Sequence, residues 1–200
     1  MIGLVDYDGG NVRSVANALQ NLGVDFVLSA DPEKLNAADG LILPGVGAAP
    51  GAMESLKQRN LVGLLQGCKK PLLGICLGME LLLSHSDEGD IPCLGVLPGT
   101  VKRFDQRAEK VPHMGWNQVE FTRENPLANH LPENPYFYFA HSLYVPVDDA
   151  TSAVTSCGML FASMVQKENF YGVQFHPEKS GPDGLTLLNN FNMLCTSFRQ

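Results

Sequence analysis

Gly74-Ile75-Cys76-Leu77-Gly78 sets a cysteine between two glycines, each two residues away. It stands where the apolar run Leu72-Leu73-Gly74-Ile75 gives way to Met79-Glu80-Leu81-Leu82-Leu83, the pattern of a strand turning sharply into a helix. Neighbours without a Cβ let backbones crowd together at such a turn, leaving the side chain at its tip free to react. The unpaired amides and positive dipole end of the following helix favour thiolate over thiol. A free thiol, with a pKa of about 8.5, is only a few per cent ionised at neutral pH, so a nucleophilic cysteine needs such help. These residues alone leave Cys76 open between a nucleophile and a packed core thiol.

A base is offered by Tyr171-Gly172-Val173-Gln174-Phe175-His176-Pro177-Glu178, an alternating strand that ends in a histidine, a proline and a glutamate. Pro177 fixes the turn, and Glu178 can fold back to accept one ring N–H, leaving the other nitrogen free to take a proton. Cys76, His176 and Glu178 would then follow the logic of a Ser-His-Asp triad. A histidine before a proline is also a common turn residue, but His85, His113, His130 and His141 lack even this arrangement. Leu43-Pro44-Gly45-Val46-Gly47-Ala48 follows another apolar run and can turn a backbone amide toward a reacting carbonyl. It is too short for a phosphate loop and lacks the Lys-Ser/Thr ending. Val46 and Gly47, with the Leu77 amide, are expected to form an oxyanion hole contributing about 3 to 4 kcal/mol to the barrier.

The elements that would position these groups follow a βαβ rhythm: Ile2 to Asp6 extended, Val12 to Leu22 helical behind a cap at Asn11, Asp25 to Leu28 and Gly40 to Leu43 extended. Met53 to Gln66 is helical with an interruption near Asn60, and Leu72 to Ile75 is a buried central strand. Beyond Val101 the pattern changes to short strands (Val101 to Phe104, Gln118 to Phe121, Tyr136 to Phe139, Leu160 to Val165, Phe170 to Gln174) joined by turns, so hairpins replace crossovers. Gly184 to Phe198 closes the chain as a helix. Two hundred residues, 44% hydrophobic and without a low-complexity linker, predict one domain over 1–200.

The net charge of -7, with fourteen Lys and Arg scattered along the chain, argues against a nucleic-acid or anionic-membrane surface. No apolar run approaches the roughly 18 residues of a membrane span, and Met1 to Asp6 has neither a basic start nor a cleavage site, so a soluble cytoplasmic protein is expected. Five widely spaced cysteines without a CxxC pair fit neither a disulfide framework nor a zinc site. Neither metal nor cofactor is expected.

Together the Pro44-Gly45-Val46-Gly47, Gly74-to-Gly78 and Phe175-His176-Pro177-Glu178 segments resemble, in order and spacing, the class I (triad) glutamine amidotransferases. The resemblance covers essentially the whole chain. It implies an α/β, flavodoxin-like fold: a central mostly parallel sheet, helices on both faces and an antiparallel extension. Cys76 would attack the side-chain amide of glutamine, release ammonia and leave a thioester that water opens to glutamate. Gly45, Glu80, Glu88, His141 and Ser142 would line the glutamine pocket. Asp6-Tyr7-Asp8-Gly9-Gly10-Asn11, Pro112-His113-Met114-Gly115-Trp116-Asn117, Tyr138-Phe139-Ala140-His141-Ser142 and Lys179-Ser180-Gly181 are similar to one branch of that family. Its glutaminases form heterodimers with a (β/α)8-barrel cyclase that uses the ammonia to make imidazole glycerol phosphate in histidine biosynthesis. The resemblance puts Asn11, Trp116, Tyr138 and Lys179 on the partner-facing surface. Two departures stand out: Glu80 replaces the usual glutamine of a Gly-Met-Gln run, and Asp8 replaces a more usual glycine. Glu80 near Glu88 would put two carboxylates side by side, which repel and raise a pKa.

Overall fold

The computed structural model describes residues 1–105 and 111–198. In chain order it contains β1 (Ile2–Val5), α1 (Val12–Asn21), β2 (Phe26–Ser29), α2 (Pro32–Ala37), β3 (Gly40–Leu43), α3 (Ala49–Gln58), α4 (Val62–Gln66), β4 (Leu72–Ile75) and α5 (Leu77–Leu82). There follow β5 (His85–Ser86), β6 (Ile91–Pro92), β7 (Thr100–Arg103), β8 (His113–Gln118), β9 (Glu120–Phe121), β10 (Tyr136–His141) and β11 (Leu143–Tyr144). The chain ends with β12 (Thr151–Cys157), β13 (Met159–Lys167), β14 (Phe170–Val173) and α6 (Gly181–Phe198).

Eight strands form the main sheet in the order β2-β1-β3-β4-β14-β13-β12-β9. The first five run parallel. From β14 outward the pairing becomes antiparallel through β13, β12 and β9. This is the predicted parallel sheet with an antiparallel extension. Successive residues of the parallel strands face opposite cores: Leu41, Leu43 and Leu72 join α3 residues Ala52, Met53 and Leu56, while Ile42, Leu73 and Ile75 join α6 residues Leu187, Leu188 and Phe191. Both faces are therefore covered by helices, which is why these strands are nearly continuous apolar runs. None of the described helices is long and apolar enough to cross a membrane.

Several boundaries moved for identifiable reasons. The helix expected from Met53 begins at Ala49, whose N–H is held at 2.7 Å by the distant Glu88 carboxylate, and the interruption is Asn60 in a left-handed conformation, φ 57°. The short α2 was not anticipated, although Asp31 accepts the Glu33 N–H at 2.9 Å and Pro32 opens the helix. The strand expected at Gln118 to Phe121 is divided, because β8 pairs with β10 while β9 pairs with β12. β12 itself escaped the sequence: Thr-Ser-Ala-Val-Thr-Ser has no alternation, and its burial comes from its place between β13 and β9. Asn11 occupies the N-cap position of α1 but with φ 59° and no side-chain cap bond, so the expected capping role is not what its amide does.

Candidate active site

The carboxyl ends of β1, β3, β4 and β14 lie side by side, and the chain leaving each supplies one part of the site. β4 and β14 are paired up to Ile75 and Val173, and the Cys76 N–H donates to the Val173 carbonyl at 2.8 Å. Cys76 thus sits where β4 bends into α5, with φ 52° and ψ −111°. A non-glycine residue held there stores strain of order 1–3 kcal/mol, sustained by the surrounding packing. The flanking glycines do what the sequence asked of them. A Cβ on Gly78 would stand 1.8 Å from the Leu43 carbonyl oxygen, and one on Gly74 would stand 2.6 Å from the Gly78 carbonyl oxygen.

His176 follows β14 by three residues and is 1% exposed. Its Nδ1 is 2.8 Å from Glu178 Oε1, and the Glu178 side chain is also buried. The histidine backbone is pinned too: its N–H donates to the Tyr138 carbonyl at 2.8 Å, and Ser180 Oγ donates to its carbonyl at 2.6 Å. With Nδ1 committed to the carboxylate, Nε2 is left to act on a proton. Asn11 adds a contact the sequence did not suggest. Its Nδ2 donates to Glu178 Oε1 and lies 3.3 Å from His176 Nδ1, so this residue, expected on the partner surface, turns its amide into the triad. Glu178 Oε2 is buried without a partner.

A cavity of about 190 Å³ opens over Cys76 and is lined by Val46, Gly47, Leu77, Glu80, Glu88 and the 140–143 segment, among others. Of the residues expected around glutamine, Glu80, Glu88, His141 and Ser142 line it. Two of them have duties elsewhere. Glu88 spends one oxygen on the α3 N-terminus. His141 spends both ring nitrogens: Nδ1 lies 2.5 Å from the Leu143 carbonyl and Nε2 lies 2.8 Å from His113 Nδ1. A carbonyl only accepts, so His141 donates from Nδ1, His113 donates to His141 Nε2, and His113 Nε2 accepts from Asn117 Nδ2 at 3.1 Å. Both rings are neutral in this chain of bonds, and burial pushes both pKa values down, that of His141 to about 3. The His141 ring is a structural strut, its two nitrogens already spent within the protein.

The electrostatics of Cys76 depart from expectation. The helix that follows has only six residues, and its influence is outweighed: burial first, then the Glu80 carboxylate, push the thiol well above its ordinary value. The Leu77 N–H and the Gln174 amide pull the other way. Glu80, 4% exposed, is itself raised to about 7 by burial, with Glu88 adding to the rise and a hydrogen bond from Gln174 opposing it. The expectation of a raised carboxyl at this departure is met, but desolvation rather than the neighbouring carboxylate is the larger cause.

Of the amides expected to form an oxyanion hole, those on the two sides of the cavity are placed differently. The Leu77 amide faces the Cys76 sulfur. The Val46 N–H instead donates to the Gly9 carbonyl at 2.8 Å, so it points away from where an oxyanion would form, and Gly47 adopts φ 106°. Tyr7, fully buried beneath this loop, donates its hydroxyl to the Pro44 carbonyl at 2.7 Å. Tyr7 and Gln174 escaped sequence reasoning. A signal for the second existed: a glutamine between Val173 and Phe175 in an apolar strand must find buried hydrogen-bond partners.

Trp116 and Tyr138 are paired across β8 and β10, with ring centroids 6.3 Å apart. Trp116 is 56% and Met114 66% exposed. The Tyr138 carbonyl holds the His176 N–H and the exposed Lys179 ends the turn that follows His176, so both lie next to it, with Trp116 packed on Tyr138.

The family model described as "Glutamine amidotransferase class-I" matches residues 3–194. The chain is 46% identical over 192 residues to "Imidazole glycerol phosphate synthase subunit HisH 2" of Legionella pneumophila (strain Paris), covering 96% of each chain. It is also 46% identical over 192 residues to "Imidazole glycerol phosphate synthase subunit HisH" of Bacteroides thetaiotaomicron, covering 95% of this chain and 97% of that one. A crystal structure of a glutamine amidotransferase superposes with a TM-score of 0.75 over 98% of both chains, at 20% identity. That last likeness bears on the fold alone.

Proposed function

The chain belongs to the class I glutamine amidotransferase family, and from that premise we propose that it is the glutamine-hydrolysing subunit of an imidazole glycerol phosphate synthase, supplying ammonia for histidine biosynthesis. The observation that carries the chemistry is the buried His176 Nδ1–Glu178 Oε1 contact of 2.8 Å at the end of β14, beside the strained Cys76 at the end of β4. In this reading Cys76 Sγ gives its proton to His176 Nε2 and attacks the carboxamide carbon of glutamine. The C–N bond breaks as His176 returns the proton to the departing ammonia, and water attacking the thioester releases glutamate and restores the thiol. The negative oxygen formed on the way would be held by the Leu77 N–H, joined by the Val46 or Gly47 N–H once the loop reorients away from Gly9. Glutamine would lie in the cavity over Cys76, its ammonium toward Glu80 and Glu88 and its backbone against Gly45 and the 141–142 segment.

Residues 1–200 would act as one cytoplasmic glutaminase unit in a heterodimer with a (β/α)8-barrel cyclase, meeting it through Trp116, Tyr138 and Lys179. An enclosed transfer makes physical sense, because ammonia released into neutral water is protonated and no longer a nucleophile. Glutamate release from glutamine, measured for the protein alone and with the cyclase and its phosphoribosyl ligand, tests the reading. Weak hydrolysis alone, strong stimulation in the complex and its disappearance in Cys76→Ala are expected. High activity without any partner would remove the assignment to this synthase.

A further inference from the structure

Glu80 and the nucleophile share a hydrogen-bond donor. Gln174 Nε2 donates to Glu80 Oε1 at 2.9 Å and lies 3.9 Å from Cys76 Sγ, while Gln174 Oε1 is buried with no partner. One amide group therefore links the carboxylate to the sulfur, its two N–H donors serving one each. Among the described residues, the titratable groups whose charge couples to Glu80 are acids, thiols and a phenol: Cys76 at the start of its own helix, Tyr7 after β1, Glu88 after β5 and Cys93 after β6. Its negative charge raises the Tyr7 phenol and the Cys76 and Cys93 thiols alike, behind burial in each case. Among the described residues that line the cavity there is no lysine or arginine to offset it. An α-amino acid brings a cation of its own, its ammonium, into this acidic cavity.

We propose that Glu80 makes the nucleophile substrate-gated: its buried carboxylate, joined to the sulfur through the Gln174 amide, keeps Cys76 protonated in the empty site, and the ammonium of the incoming substrate neutralises that charge so that the thiol can ionise and react. This rests on the glutaminase reading and adds regulation to it. Glu80 acts as a positioning residue through Gln174 and through its charge, beyond any part it has in holding the ammonium. A neutral glutamine at this position would bind substrate without opposing the thiolate; a carboxylate ties reactivity to occupancy.

Two reagents separate these roles in the full-length protein. Iodoacetamide carries no ammonium and reports the free thiolate; its rate at Cys76 is followed by mass spectrometry at pH 8, with Cys157 as internal reference. Glu80→Gln and the isosteric, uncharged Glu80→Met are each expected to react about tenfold faster than the parent, equivalent to one pKa unit. The second reagent is 6-diazo-5-oxo-L-norleucine, a glutamine analogue with a free ammonium, compared with its N-acetyl derivative. In the parent the limiting inactivation rate at saturation falls about tenfold when the ammonium is masked; in Glu80→Gln the two limiting rates converge. Equal iodoacetamide rates in the parent and both variants would overturn the gating, as would an undiminished difference between the two diazoketones in Glu80→Gln. A protein that iodoacetamide labels at Cys76 but the diazoketone never does would overturn the glutaminase reading instead, and the role of the ammonium with it.

Discussion

Asn11 shows how far one side chain can be diverted from the role its position suggests. Sequence placed it as a helix cap and a surface contact, yet its amide is spent on Glu178 and His176. A hydrogen bond to a buried carboxylate contributes on the order of 1.5–3 kcal/mol. Asn11→Gly keeps the left-handed backbone and removes the amide, so kcat for glutamate release in the cyclase complex is expected to drop roughly tenfold, and melting temperature to fall by several degrees as the buried carboxylate loses its donor. An unchanged kcat would mean that Glu178 holds His176 unaided. Glu80 has a separate signature in stability. Its folded pKa of about 7 exceeds the ordinary 4.5, so between those values the unfolded chain releases a proton that the folded chain keeps, and stability falls as pH rises through that window. Glu80→Gln should flatten thermal melts over this range and stabilise the protein at pH 8 by on the order of 1 to 3 kcal/mol. Melts that remain parallel to the parent at every pH would rule out a buried titrating carboxyl.

At the scale of elements, β4, α5 and β3 approach so closely that no Cβ fits on Gly78. Gly78→Ala must push α5 away from the Leu43 carbonyl. An overpacked core costs typically 1–3 kcal/mol, and here the displaced element carries both Cys76 and the Leu77 amide. Glutamate release should fall below detection even in whatever fraction stays folded, which Cys76 labelling by the diazoketone would read directly. The β8–β10 pair is joined by the His113–His141 contact, and its pH dependence has the opposite sign to that of Glu80. His141 stays neutral in the folded protein down to about pH 3 while an unfolded histidine takes up a proton near 6.5, so stability is lost as pH falls between those values. His113→Phe should keep the packing against Phe139 and Phe161 but leave His141 Nε2 without its donor, and a shallower decline of melting temperature below pH 6 is the expected result.

For the whole molecule, the opposed slopes of Glu80 and His141 cancel where their windows overlap and bring a broad stability maximum at mildly acidic pH, between about 4.5 and 6.5. The exposed Met114 and Trp116 stand on β8, beside the triad rather than away from it, so association with a partner and ordering of the site would occur on one face. Trp116→Ala is expected to leave melting temperature unchanged, since the ring is more than half exposed. It should weaken binding of the cyclase by about 2 kcal/mol or more, as expected for an aromatic anchor. Titration of the cyclase by calorimetry reads this, and an affinity equal to the parent's would move the interface elsewhere.

The positions of Cys76, His176 and Glu178 at the ends of neighbouring strands, the pairing of the last two, and the parallel half of the sheet were legible in the sequence. They show as local patterns, namely apolar runs, glycines beside Cys76 and a His-Pro-Glu ending, each readable within a few residues of chain. Tertiary structure alone decided what depends on distant partners. It placed the Thr- and Ser-rich β12 inside a sheet, turned Asn11 inward and occupied the Val46 amide with Gly9. It spent both nitrogens of His141 and joined Gln174, Glu80 and Cys76 through one amide. A side chain's type fixes which bonds it can make, but burial and the groups brought against it by the fold fix which bonds it does make.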